Sequence, residues 1–116
     1  MEHVYRYPSR DLPQVYWHLQ DCSARFGYEL RRLEGFPPAG APRGARFELV
    51  EKAGGHRVGY IQVAENQFGA IITVTEGFEG TGKPDATQEA LLAGIVHHLF
   101  ECMAIPPERR ARRWPR

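Results

Sequence analysis

Apolar residues recur at two periods along this chain, every second position in some stretches and every third or fourth in others, and the switches divide it into elements. His3 to Tyr7 alternates and is aromatic, which predicts a short strand closed by Pro8. Leu12, Val15, Leu19, Cys22 and Phe26 then follow at helical spacing and form one apolar stripe. Asp11 precedes the stripe as a cap, with Gln14 three residues on, Pro13 is tolerated in a first turn, and Gly27 is a natural stop. On this helix His18 lies at the stripe's edge and Trp17 points more nearly outward.

Tyr28 to Leu33 reads as a strand with mixed faces. The segment from Gly35 to Gly44 follows, and its three prolines lack the amide donors of a central sheet, so it is a loop. From Ala45 the pattern is an antiparallel meander. Phe47 and Leu49 alternate with charged residues, Gly54-Gly55 suits a tight hairpin, Val58 to Ala64 returns, Glu65-Asn66-Gln67 turns, and Gly69 to Phe78 forms the last strand. The near-continuous run Ile71, Ile72 and Val74 places that strand inside the sheet. Asp85-Ala86-Thr87-Gln88 repeats the capping signal and starts a long helix. Its stripe is Leu91, Leu92, Ile95, Val96, Leu99, Cys102 and Met103, and Pro106-Pro107 ends it.

The order β-α-β-β-β-β-α predicts an α+β fold, an antiparallel four- to five-stranded sheet with two helices on one face. The other face is left to solvent or to a partner. This order resembles helix-on-sheet binding folds, among them TATA-binding-protein-like repeats and, more loosely, double-stranded-RNA-binding domains. The likeness is one of fold, which does not decide function. The basic cluster that the RNA-binding domains carry at the start of the last helix is represented here by Lys83 alone.

Composition changes this picture in two places. At 116 residues, 42% hydrophobic and 25% charged, the chain is ordinary for one globular domain. We divide it into a single domain over 1–107 and a basic tail over 108–116. The overall charge of +1 hides an asymmetry, because Arg109, Arg110, Arg112, Arg113 and Arg116 all lie in that tail. Residues 1–108 hold ten basic against fourteen acidic groups, a bias opposite to that of a domain binding nucleic acid across its folded face. No apolar run reaches the ~20 residues of a membrane span and no secretory core follows Met1, so the expected location is cytoplasmic. There two cysteines stay reduced, and thiols are expected rather than a disulfide. The preference for Arg over Lys fits a GC-rich genome and carries no functional inference.

Four constellations carry candidate chemistry. His18 and Cys22, like His98 and Cys102, are one helical turn apart, so two neighbouring helices could offer two imidazoles and two thiolates to a metal. Both cysteines fall on apolar stripes, however, where Cys is commonly a small core residue; no metal and no cofactor is assigned. Gly77 to Lys83 follows the phosphate-binding loop pattern, but Pro84 replaces the hydroxyl residue that the pattern needs, so a Gly-rich strand-to-helix turn is preferred. Hydrolytic chemistry finds little support: His97 and His98 point about 100° apart, Cys102 lacks an electropositive setting, and Glu76 with Glu79 reads as turn residues. The tail's Arg109, Arg110, Arg112, Arg113 and Trp114 suit phosphate backbones with base stacking, an acidic protein groove, an anionic membrane surface or a plain solubilising end.

Aromatic residues supply the last hint. Tyr5, Tyr7, Trp17, Tyr28, Phe36 and Tyr60 exceed what one core of this size takes along with the helix stripes, and Tyr28 and Phe36 flank the Pro-rich loop as candidate partner-binding residues. The expectation is a non-enzymatic binding module, of the accessory-subunit, inhibitor or immunity type. It would engage a protein partner or form a homodimer, with no membrane contact. The alternatives are nucleic-acid binding through the Arg-rich tail, and a small-molecule pocket between sheet and long helix lined by Tyr60, Ile72 and Leu92.

Overall fold

Two rows of side chains cross one sheet beneath the helices, Tyr5–Ile72–Val63–Ala45 and His3–Val74–Ile61–Phe47, each set by strand register. They belong to β1 (Glu2–Tyr7), β5 (Gly69–Glu76), β4 (Arg57–Asn66) and β3 (Gly44–Glu51); β2 (Tyr28–Leu33) lies beyond β3 at the far edge. The computed structural model describes residues 2–35, 39–40, 43–80 and 85–103. All four strand pairs are antiparallel, in the order β1-β5-β4-β3-β2. The last strand in sequence therefore sits between the first strand and the meander, as its apolar run requires.

Both helices cover the same face of this sheet. α1 (Leu12–Arg25) follows β1, and the Asp11 carboxylate accepts from the Gln14 backbone N–H at 3.3 Å. Its stripe Leu12, Val15, Leu19 and Cys22 is buried. Gly27, with φ +86°, then turns the chain into β2, a conformation that L-residues with a side chain rarely adopt. α2 (Ala86–Cys102) starts with a complete capping box, in which Asp85 accepts from the Gln88 amide at 2.8 Å and the Gln88 side chain accepts from the Asp85 amide at 3.0 Å. Leu92, Ile95, Val96, Leu99 and Phe100 are buried against the sheet. Phe100 meets Tyr5, their ring centroids 3.4 Å apart.

Several expectations are corrected here. Tyr5 is a core residue, because the odd positions of β1 face the helices. The β4–β5 turn is tighter than expected: Asn66 still pairs with Gly69, so Gln67 and Phe68 alone span the reversal and Phe68 projects 77% exposed. The core stripes each lose a member, since Phe26 is 41% and Leu91 46% exposed. Phe26 caps α1 after the helix has ended, and Leu91 sits one position to the outer side of Leu92.

The cysteines are also corrected. Cys22 and Cys102 form a disulfide, their Cα atoms 5.8 Å apart, instead of two thiols. Each stripe turns its cysteine toward the other helix, and the bridge ties the end of α2 to the last turn of α1. Among the described residues no helix is long and apolar enough to cross a membrane.

Candidate functional site

Alternation along the strands leaves one face of the sheet without a helix. The register lays two rows across it, Glu48–Tyr60–Thr75–Glu2 and Arg46–Gln62–Thr73–Val4, with Ala64, Ile71 and Arg6 beyond them. A shallow concavity of about 400 Å³ lies over these rows, lined by Val4, Arg46, Tyr60, Gln62, Ile71 and Thr73 with Glu2 and Thr75 at one end. Most of these side chains are only half-buried, so the face offers carbon, hydroxyl, amide and charge together.

Tyr60 is the most tightly held member. The Arg46 guanidinium lies 4.5 Å from its ring centroid and that of Arg57 lies 5.1 Å away. Arg57 is itself fixed, its Nε donating to the Gly77 carbonyl at 2.8 Å and its Nη1 standing 3.6 Å from the Glu48 carboxylate. Gly77 has to be glycine for the same reason, because a Cβ there would overlap the Tyr60 ring. A phenol held between two guanidinium groups is a rigid, amphipathic contact feature, ready to accept a hydrogen bond or to present its ring edge. Charge on the face is of both signs, Glu2, Glu29 and Glu48 against Arg6, Arg31, Arg46 and Arg57.

A second hollow opens on the helix side. Phe26, Tyr28, Leu91, Gly94, Ile95 and His98, with Ala90, line a groove of about 390 Å³ where the end of α1 and the start of β2 meet the outer flank of α2. The His98 imidazole lies against the Phe26 ring, centroids 5.5 Å apart. Tyr28 forms part of this wall, and burial, followed by the nearby Glu51 carboxylate, pushes its phenol above the usual range.

The residues expected to carry chemistry are distributed differently. His18 is half-buried and shares a 3.4 Å hydrogen bond with the Tyr7 hydroxyl, while His98 faces the groove and both sulfurs are consumed by the disulfide. The four therefore do not converge as metal ligands, and among the described residues no group of three or more His, Cys, Asp or Glu is placed to hold an ion. His97 pairs instead with Glu101, 3.3 Å away on the exposed side of α2. Glu79 accepts from the Arg57 backbone N–H at 3.1 Å.

Tyr60, Ile72 and Leu92 do not share a cavity: Ile72 and Leu92 are in the core under α2, and Tyr60 points from the other face. Phe36, the tail residues Arg109, Arg110, Arg112, Arg113 and Trp114, and the Thr81–Pro84 half of the phosphate-loop pattern lie outside the described residues. Sequence reasoning missed the concavity itself. Its one legible signal was the aromatic surplus, which correctly included Tyr60 as a side chain outside the core. Comparisons with protein-family models, with curated proteins and with solved structures find none that matches this chain.

Proposed function

We propose that the chain is a non-enzymatic binding module that holds a protein partner on the open face of its sheet. The observation that carries this reading is the concavity around Tyr60, where a ring clamped by Arg46 and Arg57 stands beside the threonines of β5 and the carbon of Val4 and Ile71. Aromatic and Arg side chains are the residue types enriched at the centres of protein interfaces. Thr73, Thr75 and Gln62 add directional hydrogen bonds on a floor that strand pairing already keeps rigid. The mixed charge favours a protein over a polyanion, whose phosphates would meet Glu2, Glu29 and Glu48 among the four arginines of this face.

A cytoplasmic location and the Cys22–Cys102 bridge pull in opposite directions, because structural disulfides persist in oxidising compartments. We keep the bridge as the stronger indication and place the working protein in an oxidising setting. The test of the binding reading is capture from native lysate with the full chain. Tyr60→Ala and Thr73→Arg are expected to lose the retained protein, whereas Gln20→Arg on the outer side of α1 keeps it. Retention by all three variants would remove the open face from consideration.

A further inference from the structure

The two guanidinium groups that hold Tyr60 are not equivalent. Arg57 is already engaged, its Nε donating to the Gly77 carbonyl at 2.8 Å and its Nη1 standing 3.6 Å from the Glu48 carboxylate. Arg46 lies nearer the ring, 4.5 Å from the centroid, a contact that positions its planar fork while leaving the N–H groups to bond elsewhere. The neighbouring carboxylates are spoken for, Glu48 by Arg57 and Glu29 by Arg31 at 3.3 Å, and among the described residues none pairs with Arg46. A guanidinium held over an aromatic ring without a carboxylate of its own is suited to receive one, through two parallel hydrogen bonds.

The surroundings of Arg46 suit the same ligand. Strand register continues its row through Gln62 and Thr73 to Val4, so an amide and a hydroxyl, both able to donate, stand beside the guanidinium before the row ends in carbon. Ile71, diagonal to Val4, widens that apolar end. Glu2 also lines the concavity, but it lies on β1, three strand spacings from Arg46 on β3, and in the other row. Neighbouring strands are about 4.8 Å apart, which puts about 14 Å between Arg46 and Val4. An extended peptide covers that distance in about four residues, with the side chains at both ends of the span on the same side.

We propose that the open face recognises an acidic, extended segment of a protein partner laid across the strands, with an Asp or Glu carboxylate taken by Arg46 and an apolar side chain about four residues away seated on Val4 and Ile71. A concavity of about 400 Å³ holds a few side chains, so a short segment fits it where a folded domain does not. The inference rests on the binding reading given above and names the chemistry of its partner.

The test is selection of random peptides of about twelve residues on the immobilised full chain, run in parallel on Arg46→Glu. The unmodified protein is expected to enrich Asp or Glu at one position and an apolar residue at the stated spacing, and Arg46→Glu to exchange the acidic preference for Lys or Arg. A selected peptide, titrated by fluorescence anisotropy, is expected to bind Arg46→Gln at least about 10-fold more weakly, with a similar loss in Arg46→Lys, which keeps the charge but not the fork. Val4→Ser is expected to relax the apolar preference alone. All four substitutions are at half-buried surface positions, and an unchanged thermal midpoint shows that each variant is folded. An acidic preference that survives Arg46→Glu, or full affinity in Arg46→Lys, would overturn the proposal. Peptides without an acidic preference that are nevertheless lost by Tyr60→Ala would overturn it too and leave the open-face reading standing, whereas failure to select any peptide would count against both.

Discussion

α1 and α2 lie on the same side of one sheet and share a disulfide, yet they meet solvent in opposite ways. α1 turns Gln14, Gln20, Asp21 and Arg25 outward, with Asp21 and Arg25 paired at 3.0 Å one turn apart, and keeps its apolar residues in a single stripe. α2 has apolar residues on both sides and places its charge only at its ends. The same core can therefore hold a helix with one apolar stripe and a helix with apolar residues on both sides. What distinguishes them is the outward half, which is polar on α1 and largely apolar between residues 90 and 96 on α2. Trp17 is the exception on α1, 64% exposed among polar neighbours, where a single ring forms no patch.

The largest way to break the comparison is to cut the tie between the helices. The Cys22–Cys102 bridge closes a loop with a sequence separation of 80, for which the chain-entropy argument gives about 4 kcal/mol. Reduction, or the double substitution to alanine, is expected to lower the urea midpoint and to steepen the slope, because the denatured chain without its cross-link is less compact and exposes more surface. The next effect separates the two sides of α2. Leu92→Ala removes a buried side chain next to Gly59 and is expected to cost about 3 kcal/mol, while Leu91→Ala at one residue's remove changes monomer stability by less than about 0.5 kcal/mol in dilute denaturation.

Capping offers a finer contrast. Asp85→Ala and Asp11→Ala are each expected to cost about 1 kcal/mol, seen as a fall in thermal midpoint. Gln88 also accepts from the Asp85 amide, so Gln88→Ala adds to the loss in α2; Gln14→Ala, which keeps the backbone donor to Asp11, has a smaller effect.

The smallest effect concerns the brace at the start of α1. Glu65 accepts from Arg43 at 3.3 and 3.2 Å and from Arg10 at 3.5 Å, and the Arg43 hydrogen bonds foremost hold its carboxyl below the ordinary value of 4.5. A lowered value in the folded chain means that this contribution is complete above pH 4.5 and disappears as pH falls through the folded value. Glu65→Gln should flatten the acid limb of the stability profile by a small amount and leave neutral pH nearly unchanged, because both arginine partners are exposed and solvent screens the pairs.

Much of this architecture was legible in the sequence wherever the information was local. Period, caps and turn residues are properties of neighbouring positions, so the seven elements and their order followed from Leu12 to Cys22, from Asp85 with Gln88, and from Gly27 without knowledge of the rest. The boundaries that moved, at Asn66 and Glu76, moved because strand length depends on a partner strand. The candidate site was less legible. Tyr60 could be counted as surplus, but its clamp needs Arg46, brought across from β3 by the β3–β4 hairpin, as well as Arg57 three positions earlier on its own strand.

Sequence alone determined the kind of fold, because amphipathic periods of two and of about 3.6 residues each have one way to bury carbon, and it determined where each helix begins. It did not determine which of two adjacent leucines on α2 would lie inward. That choice falls to the angle at which the sheet receives the helix, and it makes Leu92 core and Leu91 surface. Nor did it determine that the two cysteines would meet, since 80 positions separate them and only the docking of both helices on one face brings their Cα atoms to 5.8 Å. Contacts between distant segments carry no local signature, and the open-face concavity, lined from β1, β3, β4 and β5, is made of such contacts.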